Sequence, residues 1–229
     1  PLDMDKLDGN IIEEICYTLI TDKQKKKLEE EKELDFAIMF PDIDLYRIIG
    51  RLSFPIFAFL LTEGYVHTKN LKKYFIRLFI FAIIPQIPYS LAFGIDILNI
   101  FFTLFFGMLA ILVDDKINNV YKKWGLILGI VVISELLHMD YGYYGIIMIF
   151  LFKKYKDNWK NLVITLILLN ISIYPIWNLQ VFSLGALPLI KMYNKKIGFM
   201  NKFVKYGFYS FYPVHILVIY LINEYVLKK

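Results

Sequence analysis

The chain has 229 residues, of which 58% are apolar, 17% aromatic and 21% charged, with a mean hydropathy of +0.51. Soluble domains are about 45–50% apolar and about 25% charged. This composition, with 20 Phe and 17 Tyr, therefore excludes a water-soluble globule and points to the bilayer as solvent. At about 20 residues per helical crossing, the length accommodates about seven or eight short spans.

The single cysteine, Cys16, excludes an internal disulfide framework, and three scattered histidines form no zinc cluster, so metal chemistry is not expected. The net charge of +5 conceals an asymmetry: residues 1–35 hold 11 acids against 6 lysines, so the remainder is basic as well as apolar. That combination suits a membrane surface rather than nucleic acid. No signal-peptide pattern opens the sequence, and Pro1 in place of Met points to processing or trimming.

Residues 1–35 read as a soluble, amphipathic helical segment or linker. Leu7, Ile11, Ile15 and Leu19 recur at helical spacing, and Asn10 with Glu13 forms a capping box. The stripe then dissolves into KQKKKLEEEKE, which suits a solvated face. From residue 36 to 229 a membrane domain is expected: an all-α, polytopic transmembrane helix bundle. Its hydrophobic segments fall near residues 46–66, 74–94, 97–113, 124–138, 141–152, 161–178, 180–191 and 206–227. The fifth and seventh have only 12 residues and could be re-entrant or half-spans. Pro55, Pro85, Pro88, Pro175, Pro188 and Pro213 lie in or beside these segments and imply kinks with freed carbonyls.

Lysines set the orientation, because basic loops stay cytoplasmic. Fifteen lysines follow the first, third, fifth and seventh segments, and the intervening turns, 95–98, 139–140 and 178–180, carry neither Lys nor Arg. The His67 end of the first segment is thus expected in the cytoplasm.

Ionisable groups at hydrocarbon depth are expensive, about 2.5–3.5 kcal/mol each on insertion scales, which makes each one a functional candidate. Glu63 and His67 are four apart on one helix face, so the carboxylate can orient the imidazole as a general base; a purely structural pair has the same spacing. Arg77 lies four residues after Lys73, and together they suit an anionic, phosphate-bearing ligand, although a positive-inside bias produces the same pattern. Arg47 and Arg51 either snorkel to headgroups or serve a site. Asn99, beside Pro85, Gln86 and Pro88, either satisfies unwound backbone or contacts a substrate. Glu135, His138 and Asp140 surround a turn at the outer end, and His215, near Tyr209 and Tyr212, suits an interfacial aromatic belt. No Gly-rich phosphate loop, nucleophilic serine motif, or deaminase or protease signature is present.

The string IGRLSFPIFAFLLTEGYVHTKN, followed by YFIRLFIFAIIPQIPY, LNIFFTLFFGML, DYGYYGI and FYPVHILVIYL, resembles the TraX family of integral membrane proteins from about Tyr46 to Leu221. Its most specific part is Arg51, Phe54, Pro55, Glu63, Gly64, His67 and Thr68, reinforced by Arg77, Asn99, Thr103, Leu104, Asp140, Gly142, Pro213 and His215. The resemblance implies a bacterial cytoplasmic-membrane acyltransferase that takes acetyl from acetyl-CoA, in a family tied to pilin N-acetylation during conjugation. The acceptor would be an amine or hydroxyl, on a pilin N-terminus or a cell-surface glycan. With Glu63, His67 and Arg77 placed near one membrane face, His67 and Glu63 are the expected catalytic residues and Arg77 and Lys73 the expected cofactor-binding ones, while Arg51, Asn99, Asp140 and His215 are expected to contact substrate or to be structural. The family's usual opening helix ends in an Asp-His pair, where this sequence has a charged stretch followed by FAIMFPDID. Two other readings stay open: a small ion or solute transporter using Arg51, Glu63 and His67, and an inactive membrane scaffold.

Overall fold

The computed structural model describes residues 44–93, 97–174, 178–194, 202–222 and 225. All belong to one compact unit, Asp35–Lys229. The expected amphipathic segment with its Asn10/Glu13 cap, together with FAIM, Asp96, Pro175 and the lysines at 195 and 196, lies outside the described residues.

The described residues are helical apart from turns and one isolated bridge. Helix α1 (Asp44–His67) is followed by α2 (Leu71–Ile83), whose N-cap Asn70 accepts from the Lys73 N–H at 2.9 Å. Helix α3 (Gln86–Phe93) continues α2 after a break at Ile84 and Pro85. Next come α4 (Ile100–Lys116), α5 (Val120–Leu136), α6 (Gly142–Lys154) and α7 (Trp159–Ile173). A 3₁₀ segment (Asn178–Gly185), α8 (Ala186–Lys191) and α9 (Lys202–Ile222) follow.

Two stretches, Ile48–His67 and Leu71–Leu91, are long and apolar enough to cross a membrane; Trp159–Ile173 and Ser210–Ile222 are apolar but shorter. The expected 180–191 helix is different in kind. Its first half is the 3₁₀ segment, and only six residues, Ala186–Lys191, are α-helical. The cause is polar: Gln180 and Ser183 are turned inward and fully buried, which a uniformly apolar, lipid-facing helix would not do.

At the centre stands α6, apolar on every side and buried along Tyr144, Ile146, Met148, Ile149 and Phe152. It packs most extensively on α4, and also on α1, α5 and α7. Close approach to α4 depends on Gly107, whose missing Cβ leaves the space taken by Ile149. Helix α1 lies against α6 and the 3₁₀ segment, α2 against α4, and α9 against α3. Phe54 of α1 stacks on Tyr141 at 3.9 Å. Facing outward are Phe57, Leu60, Ile76, Ile80 and Ile84, all exposed. An apolar face of that extent suits lipid rather than water.

Candidate functional site

The polar groups gather at the two ends of the helices. At the lysine-bearing end, α1 finishes with Glu63 and His67. The His67 Nδ1 lies 2.9 Å from the Glu63 carbonyl oxygen and 3.9 Å from Glu63 Oε2. A carbonyl can only accept, so Nδ1 carries the hydrogen and the neutral ring keeps its lone pair on Nε2. The His67 side chain is 70% exposed and that of Glu63 only 18%, so the imidazole faces outward from a shielded carboxylate.

Helix α2 is held against this turn by Tyr74. Its hydroxyl donates to the Leu61 carbonyl at 3.3 Å and sits where a Gly64 Cβ would stand, 2.5 Å from that position. One turn on, the Arg77 guanidinium lies 5.8 Å from the Tyr74 ring centroid, a cation–π distance. Arg77 and Lys73 are both exposed. The resulting chain of contacts runs from Arg77 through Tyr74 to the α1 turn that carries Glu63.

The same end holds a network that sequence reasoning missed. Tyr65 donates to Asp115 Oδ2 at 3.0 Å, and Lys153 reaches Asp115 Oδ1 at 2.9 Å. Lys123 pairs with Asp114 at 2.9 Å. Two carboxylates at the C-terminus of α4 oppose its dipole; lysines from α5 and α6 and a hydroxyl from α1 compensate, tying four helices together. The only sequence signal was that adjacent acid pair at the end of an apolar run.

At the opposite end, Asn99 is the N-cap of α4: its Oδ1 accepts from the Phe101 N–H at 3.0 Å. Its Nδ2 donates to the Ala82 carbonyl at 2.7 Å and to Gln86 Oε1 at 2.8 Å, while the Gln86 Nε2 donates to the Ile97 carbonyl at 3.0 Å. Asn99 is thus fully occupied in joining the α2–α3 break to α4. Asp140, half-buried, donates its backbone N–H to the Leu98 carbonyl at 3.0 Å beside the Leu98–Met139 bridge. Glu135 does not pair with His138; its Oε1 accepts from the Tyr143 N–H at 2.6 Å, capping α6, while His138 occupies a left-handed turn at φ 47°. His215 bonds the Phe211 carbonyl at 3.0 Å and stacks on the Phe211 ring at 4.9 Å, next to Tyr212.

Arg51 is buried, within electrostatic reach of Tyr144. It lies sixteen residues before His67, about 24 Å along the helix at 1.5 Å per residue, so the two belong to different sites. Around Tyr144 is a second group that sequence reasoning missed: its hydroxyl meets Asn170 Oδ1 at 3.2 Å and Ser183 Oγ at 3.0 Å, and Ser183 donates to Asn170 Oδ1 at 3.0 Å. The legible hint was Asn170 within the apolar run LILLNISI. Among the described residues no three or more His, Cys, Asp or Glu side chains gather as metal ligands.

No solved structure matches the chain. The chain is 28% identical over 200 residues to the probable fimbrial assembly protein FimC, serogroup H1, of Dichelobacter nodosus; the match spans 76% of this chain and 80% of that one. The family model described as TraX protein matches residues 33–223, a stretch that takes in every helix from α1 to α9. On that match the chain belongs to the TraX family.

Proposed function

We propose that the protein is a multi-pass acetyltransferase of the bacterial cytoplasmic membrane, which moves an acetyl group from acetyl-CoA to an amine. On this reading its seven to eight hydrophobic segments sit in the bilayer with the lysine-bearing ends in the cytoplasm. Family membership supports the reaction class. The observation that carries the site is the His67 ring, its Nδ1 held by the Glu63 turn and its Nε2 lone pair outward, beside the helix that bears Lys73 and Arg77.

Each residue then has a task. Arg77, steadied over the Tyr74 ring, and Lys73 hold the anionic phosphates of the nucleotide end. His67 Nε2 takes a proton from the attacking amine as nitrogen bonds to the thioester carbonyl carbon. The carbon–sulfur bond breaks, the sulfur leaves as thiolate, and His67 returns the proton to it. Glu63 stabilises the imidazolium between these transfers. The family's tie to pilin, and the fimbrial assembly named for the Dichelobacter relative, favour an amine at a pilin N-terminus as acceptor.

The test is turnover of labelled acetyl-CoA by purified protein in lipid nanodiscs with an amine-terminated peptide. Wild type should transfer label, and His67→Ala should lower the rate by about 10²–10⁴-fold, the usual range for a general base. An undiminished rate would remove His67 from the mechanism.

A further inference from the structure

Lys154, in the last turn of α6, is held by aromatic rings and by no acid. Its ammonium lies 5.4 Å from the ring centroid of Trp124 on α5, 5.6 Å from that of Phe150 and 5.9 Å from that of Tyr155, all cation–π distances. Trp124 and Phe150 meet each other at 5.9 Å. An ammonium carries three N–H donors, and ring faces displace water from one side of it without taking a full hydrogen bond. The residue is exposed, so its other side is open. A lysine already fixed in place removes an ordering cost that its ligand would otherwise meet.

The neighbouring turns, 114–123 and 153–160, carry seven lysines against three aspartates. Each aspartate is already paired: Asp114 with Lys123, Asp115 with Lys153 and Asp157 with Lys156. Among the described residues, Lys116, Lys122, Lys154 and Lys160 are left without an acid partner. The first turn of α5 holds no acid either, although the helix dipole favours one there. This end of the molecule therefore presents an excess of positive charge, complementary to an anion.

Trp124 also belongs to an uncovered helix face. Helix α5 packs on α4 and α6, while Tyr121, Trp124, Leu128 and Val132, three or four residues apart, are all exposed. Beside them, nothing lies within 4 Å of where a Gly125 Cβ would stand. From Tyr121 to Val132 the stripe is about 16 Å long at 1.5 Å per residue. One leaflet of a bilayer has about that hydrocarbon depth, half of about 30 Å. Tyr121 and Trp124, at its charged end, are the residue types of a headgroup-level belt.

We infer that this corner binds an anionic phosphoglyceride of the cytoplasmic leaflet, whose phosphodiester accepts from the Lys154 ammonium while an acyl chain lies along α5 from Trp124 towards Val132. A fixed cation at the end of an apolar stripe of leaflet depth matches a ligand with one anionic head and a hydrocarbon tail. A choline headgroup would set its own cation against the lysines that lack acid partners, so a glycerol headgroup is preferred. Basic pockets between membrane helices on the cytoplasmic side bind anionic headgroups by the same chemistry. The inference rests on the membrane placement proposed above and not on acetyl transfer, in which Lys154 and Trp124 take no part.

The experiment uses the full chain in phosphatidylcholine nanodiscs with a minority of diazirine-bearing phosphatidylglycerol as probe, mapped by mass spectrometry after photolysis. Labels should concentrate between Tyr121 and Val132 and between Phe150 and Tyr155. Unlabelled phosphatidylglycerol should displace the probe at least fivefold better than added phosphatidylcholine. Lys154→Gln should reduce capture at least fivefold and Lys154→Arg should retain it. Trp124→Leu, an exposed position that leaves Lys154 in the chain, should also lower capture severalfold. Lys160→Gln removes the same charge from the same end and should change capture less than twofold, as should His67→Ala. Equal losses in Lys154→Gln and Lys160→Gln would reduce the effect to the general field of the lysines and overturn the site. Equal displacement by phosphatidylcholine, or labels spread as densely over Ile76 and Ile80 of α2, would overturn it too. Release of the protein from vesicles by alkaline carbonate would instead refute the membrane placement, and the site with it.

Discussion

His67 and Asn99 show how one side chain's hydrogen bonds decide what it can do. The His67 Nδ1 is engaged by the carbonyl four residues back, which leaves Nε2 as the nitrogen that faces outward; the i, i+4 spacing was legible in the sequence, the tautomer was not. Asn99 has no such spare atom. Its side chain caps α4 and satisfies the Ala82 carbonyl and Gln86, so Asn99→Ala should destabilise the protein by about 1–3 kcal/mol, read as a lower melting temperature. Arg77 makes its described contact with the Tyr74 ring. Arg77→Ala should therefore raise the KM for acetyl-CoA about tenfold, equivalent to about 1.4 kcal/mol, with kcat nearly unchanged; an unchanged KM would take Arg77 out of the cofactor site.

Among the elements, glycines set how near two helices come. Gly64 faces the Tyr74 hydroxyl and Gly107 faces Ile149. Gly107→Leu should cost about 1–3 kcal/mol or more by overpacking the α4–α6 contact, measured by thermal unfolding. Gly64→Ala should also destabilise, and the double variant with Tyr74→Phe, which removes the obstructing oxygen, should recover most of the loss. If Tyr74→Phe gave no recovery, the hydroxyl would not be what limits the approach. The Asp115 network makes a different demand. Asp115→Asn leaves Lys153 without its charge partner and should lower stability by about 1 kcal/mol, discounted because Asp115 is partly exposed. Helix positions were largely legible, because long apolar runs between basic loops can form little else. The 3₁₀ segment was not: its sequence is apolar enough for a helix, and only the burial of Gln180 and Ser183 explains the difference.

For the whole molecule, the two ends differ in charge. Lys123, Lys153 and the exposed Lys73 mark one end, and the Asn99–Gln86 junction with the uncharged Leu98–Met139 bridge marks the other. In a Cys16→Ser background, a cysteine at position 122 should react with an impermeant maleimide only in inverted vesicles, and one at position 138 only in intact spheroplasts. Reaction of both from one side would refute the orientation.

Composition and the alternation of apolar runs with lysines pointed to a helical chain suited to a membrane, of which two described stretches are long and apolar enough to cross one, and the Arg51 to Thr68 block carried the family. These are local or additive properties, readable one segment at a time. Tertiary structure alone decided that Tyr65, Asp115 and Lys153 meet, that Asn99 is used up in a junction, and that Tyr144, Asn170, Gln180 and Ser183 share one buried hydrogen-bonded cluster. The reason is distance along the chain: 50 residues separate Tyr65 from Asp115 and 39 separate Tyr144 from Ser183. No periodicity within a helix encodes which face of a remote helix will lie against it.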